Sequence, residues 1–362
     1  MLTRAPMKIS LTPKKLRALQ PSDILFQTPW WGRVKSRLGS KPVAFDIKSP
    51  RTVGDILVLL QPHGPDNLSA YVPQGPEFTP DQESYGPFLE NLSQAMLDHL
   101  DSRVSFIRYD LPWQSRYAWE IKEQKRLSLP EPRLREMRMN MGTAYWNLRK
   151  ASMDMTVASS LVVDISSPEK EILGRMKSKT RYNIGLAKRR GVSVFHADPE
   201  RLSDFYELYV QTARRNGFAI CDYKHFQALF NSHRSNPQNS RLFFLLATHN
   251  QELLAGAIIA VSGKTALYLY GASSNEKRNL MAPYAVHWKA IKLARSVGCS
   301  SYDMGAVSPT LDTDHPFYGL YRFKTGFGGK VEIRSGSWDY PVDEQKYNAF
   351  INSDNLARAW EI

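Results

Sequence analysis

The pattern of apolar and polar positions predicts an α/β layer in the first half of the chain. Short apolar runs predict strands over residues 43–47, 55–61 and 104–109. Apolar residues recur at helical spacing over residues 85–100, and the Gly-, Pro- and Asn-containing segment 62–80 is typical of a loop. A strand, a helix and a further strand in succession favour helices packed on a sheet.

The second half shows a clearer version of the same pattern. Strands are predicted over residues 160–165, 192–195, 242–248, 253–262, 265–271, 301–304 and 330–334. Helices are predicted over residues 175–190, 199–216, 223–233, 284–297 and 318–324. Gly191 and Gly217 follow predicted helices as left-handed C-terminal residues would, and Asn250 and Gly263 mark turns between strands.

Two polar stretches help to divide the chain. Residues 1–22 predict a loose lead-in or a short helix, and residues 114–152 predict a crossover with little sheet. We therefore predict an α/β protein with mixed sheets in two tandem domains, residues 1–158 and 159–340. Residues 341–362 form a C-terminal segment that we expect to pack back on the first domain.

Composition and charge limit the kinds of partner and site that fit this chain. The 362 residues suffice for two hydrophobic cores, and the net charge of +13 favours an anionic partner. The two cysteines, Cys221 and Cys299, are far apart, which predicts neither a zinc site nor a disulfide framework and fits a reducing cytosol. The chain also lacks HExxH and Gly-x-Ser-x-Gly motifs, so no metal site and no serine-hydrolase elbow is expected.

The chain shows no signal for membrane insertion. Its first ten residues lack the apolar core of a signal peptide, and the longest apolar runs, 242–247 and 253–261, are too short to span a bilayer. We expect a cytoplasmic protein, and its basic charge leaves open a peripheral contact with an anionic membrane surface.

The most basic stretch of the chain is the predicted helix over residues 175–190. It contains seven Lys or Arg residues and no acid, with an apolar side at approximately helical spacing. Such a run is either a solvated helix face or a surface for a polyanion, such as nucleic acid or a phosphorylated substrate.

Candidate site residues also occur outside this helix. Trp30 and Trp31 stand close to Arg33 and Lys35, an arrangement typical of a core corner or of a sugar or base site. Asp110 follows a predicted strand, where it is either a turn or cap residue or an acid at a ligand-binding sheet edge.

In the second half, two adjacent arginines, Arg214 and Arg215, end a predicted helix, where they complement its dipole or bind an anion. Tyr268 and Tyr270 are predicted on one face of a strand, either in the core or against a ligand. Glycines flank a Phe-Lys pair at Lys324, which predicts a tight backbone that presents one ammonium group.

Together these motifs resemble the FemABX family of bacterial cell-wall peptidyltransferases that use aminoacyl-tRNA. The similar segments are KTRYNI…AKRRGV, YGA, Ala-Pro-Tyr, YDMG, Gly-x-x-x-Phe-Lys-x-Gly-Phe-Gly-Gly and Gly-x-Trp-Asp. The resemblance covers nearly the whole chain, is strongest over residues 162–339, and is closer to the FemX type that lacks a helical arm. It implies two tandem GNAT-like domains (the N-acetyltransferase fold) with a cleft between them.

The resemblance also implies a reaction and roles for residues. An amino acid would pass from aminoacyl-tRNA, with no cofactor, to an amine of the stem peptide of a peptidoglycan precursor, either UDP-MurNAc-pentapeptide or lipid II. Lys324 would lie near the tRNA 3′ end and Asp110 in the active cleft. Lys35 and Arg215 would hold precursor phosphates, with Tyr270 or Tyr268, and Tyr223, nearby.

Physical chemistry is compatible with these roles. Aminolysis of an ester needs no covalent enzyme intermediate, so alignment of two bound substrates can supply much of the rate. We expect Lys324 to stabilise the tetrahedral oxyanion, and Asp110, a substrate carboxylate or water to accept the proton of the amine. The expected tRNA contacts are the basic-helix residues Lys177, Lys179, Arg181, Lys188, Arg189 and Arg190.

Two other functions remain open. One is a different GNAT-like N-acyltransferase that acts on a sugar or a peptide and uses acyl-CoA. The segment corresponding to the pyrophosphate loop, residues 278–283, contains no glycine, which disfavours CoA. The other is a basic RNA-binding protein without catalysis.

Overall fold

The computed structural model describes residues 9–49, 52–64, 66–123, 129–234 and 241–357. Within them the chain forms two compact units: residues 9–158 together with 334–357, and residues 159–333. Residues 1–8 of the predicted lead-in and residues 358–362 of the predicted C-terminal segment lie outside the described residues. Residues 334–340, which the sequence interpretation assigned to the second domain, belong to the first unit.

The first part of the first unit contains six strands and four helices. The strands are β1 (Ser10–Lys14), β2 (Lys41–Ser49), β3 (Thr52–Pro62), β4 (Leu68–Val72), β5 (Val104–Gln114) and β6 (Arg149–Lys150). The helices are α1 (Pro29–Arg37), α2 (Tyr85–Leu97), α3 (Ala118–Glu123) and α4 (Pro132–Asn140).

Strands β1 to β5 lie side by side in chain order, antiparallel up to the β4–β5 pair, which is parallel. The core forms where Ile56, Val58 and Leu60 of β3 share a buried cluster with Phe88 and Leu92 of α2. The helical spacing of the apolar residues in α2 therefore places one face of this helix on the sheet.

Two strands of this sheet were missed in the sequence. β1 lies inside the predicted lead-in, and its Pro13 is tolerated because β1 is an edge strand that pairs with β2. β4 lies inside the predicted loop 62–80. It has only five residues and stands between Gly- and Pro-containing segments, so its sequence is too short to show the alternation of a strand. Its parallel pairing with β5 supplies the hydrogen bonds that define it.

The second unit contains six further strands and six helices. The strands are β7 (Ser159–Asp164), β8 (Ser193–His196), β9 (Arg241–His249), β10 (Glu252–Ser262), β11 (Thr265–Ser273) and β12 (Ser301–Ala306). The helices are α5 (Glu169–Arg175), α6 (Ser178–Arg189), α7 (Leu202–Asn216), α8 (Tyr223–Arg234), α9 (Ala282–Ser296) and α10 (Tyr318–Lys324).

The sheet of this unit has the order β7-β12-β11-β10-β9-β8, in which β11 and β12 are parallel and the other neighbours antiparallel. The single basic helix predicted over residues 175–190 is wrong, because Met176 and Lys177 are extended and separate α5 from α6. Gly191 and Gly217 adopt positive φ angles of 79° and 70°, as the sequence predicts for helix ends.

The last two elements are strand β13 (Lys330–Pro341) and helix α11 (Glu344–Ala357). The first four residues of β13 pair with β7 in the second unit, and residues 334–341 pair with β5 in the first. The strand predicted over residues 330–334 is therefore too short. In the first unit, Tyr347 and Phe350 of α11 pack on Phe106 of β5, with ring centroids 5.4 and 4.8 Å apart.

Candidate functional site

Asp110 lies inside strand β5, and not at the end of a strand as the sequence predicted. β5 continues to Gln114 because it pairs with β13, where Asp110 stands opposite Ser337. The register shifts before Gln114 meets Arg334, so β5 holds an extra residue there. This irregularity accommodates Pro112, which has no N–H to donate to a ladder.

The Asp110 carboxylate is buried within a polar network of the first unit. Its side chain is 2% exposed and accepts hydrogen bonds from the hydroxyls of Thr156 and, at 3.0 Å, Ser337. Burial raises the pKa of Asp110, and the negative charge of Asp154 adds to this shift, whereas the two hydroxyls and Arg334 oppose it. Asp110 is thus brought toward the pH range in which a carboxylate can exchange a proton with a substrate.

Lys324 ends helix α10 in the second unit and is 4% exposed. Its Nζ donates to the carbonyl oxygen of Ala306 at 2.8 Å and lies 5.8 Å from the ring centroid of Tyr268. Burial lowers the pKa of Lys324 to about 7, against the negative charge of Asp303, which favours the ammonium form. The side chain therefore changes charge near neutral pH.

The YDMG segment shapes the surroundings of Lys324. Gly305 has a φ angle of +72°, and a Cβ added there would lie 3.8 Å from Lys324 Nζ. The Asp303 carboxylate accepts from the Gly305 N–H at 2.7 Å and from the Ser160 hydroxyl at 3.1 Å. This turn fixes the Asp303 carboxylate in the strand that leads to Ala306, the acceptor for Lys324.

Several residues around these two groups were missed in the sequence. The His287 ring of α9 packs against Tyr268 in a tilted arrangement, with ring centroids 4.6 Å apart, and its Nδ1 lies 3.0 Å from the Tyr302 hydroxyl. Burial lowers the pKa of His287 to about 3, so the ring is neutral. It packs against Tyr268, the aromatic ring that lies beside Lys324. No local motif distinguishes His287, whereas Ser337, which binds Asp110, occupies the variable position of the Gly-x-Trp-Asp motif.

The basic helix α6 presents its cations to solvent. Its buried side is formed by Thr180, Asn183 and Ala187. The six residues predicted to contact tRNA are all exposed: Lys177, Lys179, Arg181, Lys188, Arg189 and Arg190. The sequence prediction that one side of this segment packs while the other is cationic is correct.

The start of α6 is bonded to the loop that directly follows Lys324. The Lys177 N–H donates to the carbonyl of Gly326 at 2.9 Å, and its Nζ donates to Thr325 Oγ1 at 3.4 Å. Contact is so close that a Cβ on Gly326 would lie 2.2 Å from Thr180 Oγ1. Within the second unit, the cationic surface and the buried ammonium group are therefore parts of one local structure.

The tryptophan pair of the first unit belongs to the core. Trp30 and Trp31 are 2% and 4% exposed, so neither indole face is available for stacking a sugar or base. Lys35, also on α1, is half-buried with its Nζ 5.1 Å from the Trp31 ring centroid. A role for Lys35 in phosphate binding stays a prediction.

Arg215 is half-buried at the end of α7. Its guanidinium donates to the Ser273 carbonyl at 2.7 Å, the Ser273 hydroxyl at 3.0 Å and Asn275 Oδ1 at 2.8 Å. The neighbouring Arg214 is exposed. Burial lowers the pKa of Arg215, and the nearby Arg278 acts in the same direction. Its predicted phosphate contact remains a prediction.

Tyr268 and Tyr270 do not share a face of β11, in contrast to the sequence prediction. The register shifts between them, with Ile258 opposite Tyr270 and Ile259 opposite Tyr268. Tyr268 packs toward α9, whereas the Tyr270 hydroxyl lies 2.7 Å from His225 Nε2 on α8. A bulge of this kind reverses the alternation on which the prediction relied.

Tyr223, the remaining aromatic candidate, begins α8 and packs edge-on against Tyr206 at 5.1 Å. Among the described residues, no three His, Cys, Asp or Glu side chains are grouped so as to hold a metal ion. No described helix combines the length and the apolar character that crossing a bilayer requires.

Comparison with known proteins identifies similar sequences. A family model described as the FemAB family matches residues 17–252 and 243–352. Lipid II:glycine glycyltransferase of Staphylococcus haemolyticus (strain JCSC1435) is 24% identical over 249 residues, covering 52% of this chain and 59% of that protein. The same-named protein of Staphylococcus aureus (strain USA300) is 24% identical over 252 residues, covering 52% and 60%. The chain thus matches about three fifths of the length of these relatives.

Solved structures with the same fold include one described as FemX, with a TM-score of 0.70 and 18% identity over 93% of this chain and 96% of that one. A tandem GNAT protein from the clavulanic acid biosynthesis pathway has a TM-score of 0.53 and 11% identity, covering 92% and 98%. These similarities establish the predicted fold class, a mixed α/β architecture of the tandem GNAT type.

Proposed function

Because this chain belongs to the FemAB family, we propose that it transfers an amino acid from aminoacyl-tRNA to an amine of the stem peptide of a peptidoglycan precursor. The relatives named lipid II:glycine glycyltransferase support this class of reaction and acceptor. The observation that carries the proposal is the buried Lys324, whose following loop is bonded to the exposed cationic helix α6.

In the proposed reaction, the acceptor amine attacks the carbonyl carbon of the aminoacyl ester. A C–N bond forms, negative charge develops on the carbonyl oxygen, and the C–O bond to the ribose then breaks. Lys324 in its ammonium form stabilises the developing oxyanion, because a buried cation acts in a medium of low dielectric constant. Its bond to Ala306 holds the Nζ in place before the substrate arrives.

The amine must lose a proton as it forms the new bond. We propose that Asp110 accepts it, directly or through water, because burial raises its pKa and two hydroxyls orient its carboxylate. The leaving ribose oxygen takes up a proton in turn, so the reaction consumes no net acid or base. A covalent enzyme intermediate is not required, since the ester is already activated.

The tRNA is proposed to bind through phosphate contacts with the exposed cations of α6. No cofactor is proposed, and Lys35 and Arg215, with Tyr223, Tyr268 and Tyr270, are retained as proposed contacts of the precursor. Acyl-CoA is disfavoured because Arg190 bonds to the carbonyl of Asn279 at 3.0 Å, in the glycine-free segment that would have to hold pyrophosphate.

The proposal is tested by supplying radiolabelled amino acids charged on tRNA, with UDP-MurNAc-pentapeptide or lipid II as acceptor. We expect incorporation that ribonuclease abolishes. Lys324→Met should lower the transfer rate about a hundred- to a thousandfold, as the loss of one oxyanion donor does. Lys330→Met, which alters an exposed lysine six residues away, is the matched control and should transfer normally.

Two results would contradict the proposal. Incorporation from acyl-CoA in ribonuclease-treated samples would indicate the other acyltransferase class. Binding of tRNA without transfer to either acceptor, across a full set of charged tRNAs, would indicate an RNA-binding protein. Asp110→Asn separates these cases further, because it should lower transfer while tRNA affinity stays unchanged.

A further inference from the structure

The first unit contains an open cavity in which several guanidinium groups come together. Four arginines line it, together with one acid and three aromatic residues: Arg116, Arg135, Arg138, Arg334, Asp154, Tyr85, Tyr117 and Trp338. We call it the arginine cavity.

The single acid in the lining does not neutralise these arginines. Asp154 Oδ1 already accepts from Lys150 Nζ at 2.6 Å and from the Ser337 N–H at 2.7 Å. Glu83 also lies 3.5 Å from Arg116 and 4.0 Å from Arg138, but it is 71% exposed. The cavity therefore has an excess of positive charge.

Several donors in the lining are buried without an acceptor. The Nε atoms of Arg116 and Arg135 and the hydroxyl of Tyr117 make no hydrogen bond to any described residue. Burial lowers the pKa of both arginines, which reflects the cost of removing their charge from water. A buried donor left unsatisfied destabilises the folded protein, so an anionic ligand would stabilise this arrangement.

The arginine cavity adjoins the Asp110 network of the same unit. Ser337 donates its hydroxyl to Asp110 and its N–H to Asp154, a lining residue. Arg334, another lining residue, lowers the pKa of Asp110 through its charge. A molecule with one group at Asp110 can therefore place another group in the cavity.

We infer that the arginine cavity binds an oxyanion, a carboxylate or a phosphate, carried by the amine acceptor. This inference rests on the proposed function, in which the reacting amine lies at Asp110. A guanidinium group presents parallel N–H donors that match both oxyanions in a bidentate manner. The aromatic lining of Tyr85, Tyr117 and Trp338 covers the apolar atoms next to the charged group.

The inference is tested by calorimetric titration with three probes: UDP-MurNAc-pentapeptide, its analogue amidated at the terminal carboxylate, and UDP. The variant is Arg135→Gln, which keeps much of the side-chain volume but removes the charge. Arg133→Gln is the matched control, because Arg133 is an exposed arginine on the same helix α4. Unchanged thermal unfolding of both variants would verify that they are folded.

We expect Arg135→Gln to weaken binding of the pentapeptide precursor about ten- to a hundredfold, the loss typical of one charged hydrogen bond, and Arg133→Gln to change it less than twofold. If amidation weakens binding to the unchanged protein and has no further effect on the variant, the carboxylate is the ligand. If UDP binding is weakened by Arg135→Gln instead, the phosphate is the ligand.

Equal affinity of the unchanged protein and Arg135→Gln for all three probes would overturn the inference. This result differs from failure of the proposed function. In that case the unchanged protein itself would bind none of the probes, or would bind them and transfer nothing from aminoacyl-tRNA.

Discussion

At the scale of single residues, burial shifts the pKa values of Lys324 and Asp110 toward neutral pH from opposite directions. Burial lowers the pKa of Lys324 to about 7 and raises the pKa of Asp110. In each case the charged form is the one that loses solvation. Both groups therefore reduce folding stability at neutral pH.

The charge of Lys324 predicts a pH dependence. The single-turnover rate of transfer should fall as the pH rises through about 7, since the ammonium form that stabilises the oxyanion is lost. In Lys324→Arg the rate should be lower but should not fall over this range, because a guanidinium stays charged. The proposed role of Lys324 as a cation would be contradicted if the rate of the unchanged protein rose through pH 7 while that of Lys324→Arg did not.

A denaturation experiment gives an independent readout of the same group. The folded pKa of Lys324 lies below the unfolded value of about 10.4. Its cost to stability is therefore complete below pH 7 and disappears as the pH rises toward the unfolded value. Lys324→Met should be more stable than the unchanged protein at pH 7, and the difference should shrink toward pH 10.

The sequence indicates Lys324 and Asp110, the two side chains of the proposed reaction, but not their environments. Lys324 stands out because glycines flank it, and Asp110 because it follows an apolar run. Thr156, Ser337 and His287 come from segments far away in the chain, and only the folded pairing brings them into contact with their partners. Burial, and with it the direction of each pKa shift, depends on such long-range contacts.

At the scale of elements, the bond between α6 and the loop after Lys324 is the contact most specific to the proposed function. Gly326 allows this approach, since any larger side chain would collide with Thr180. The sequence predicts the charge of α6 and the tight loop separately, from local patterns. Their contact joins residues about 150 positions apart and could not be predicted from spacing alone.

We therefore predict that Gly326→Ala lowers transfer about ten- to a hundredfold, because it displaces the loop that directly follows Lys324. Gly319→Ala is the matched control: it lies in α10, where an added Cβ has no atom within 4 Å, and it should be fully active. Transfer assays of both variants and of Gly326→Ala with Thr180→Ala, which removes the collision, test this. Full activity of Gly326→Ala would show that the contact is dispensable.

The tyrosines of β11 show where a prediction from strict side-chain alternation along a strand fails. Alternation predicted Tyr268 and Tyr270 on one face, and one register shift directed them to different helices. Elements such as β10, α7 and α9 were predicted to within a few residues because their apolar pattern persists over many residues. Short elements such as β1 and β4 were missed because pairing with neighbours, and not local pattern, defines them.

At the scale of the whole molecule, a buried ion pair in the first unit links strand β5 to strand β13. Arg108 of β5 donates twice to Asp339 of β13, at 2.7 Å each, and the side chains are 7% and 0% exposed. Tyr347 of α11 donates to the same carboxylate at 3.1 Å. Strand, strand and helix are thereby joined through one carboxylate.

Arg108→Ala should lower the free energy of unfolding by about 3–5 kcal/mol, because it leaves a buried carboxylate without its cation. Arg103→Ala serves as the control, since its pair with Asp101 is solvent-exposed and should contribute little. Denaturant titrations of both variants compare the two. Equal stability would mean that water or another donor replaces the Arg108 guanidinium.

Strand β13 has a consequence for the modularity of the protein. A gene fragment that ends at residue 158 would encode β5 without residues 334–341, so the edge of a buried strand would lack its hydrogen-bonding neighbour. The first unit is therefore a discontinuous folding module, completed by residues that are synthesised after the whole of the second unit. Recombination that exchanges one half of this gene for another would have to carry the codons of both segments together.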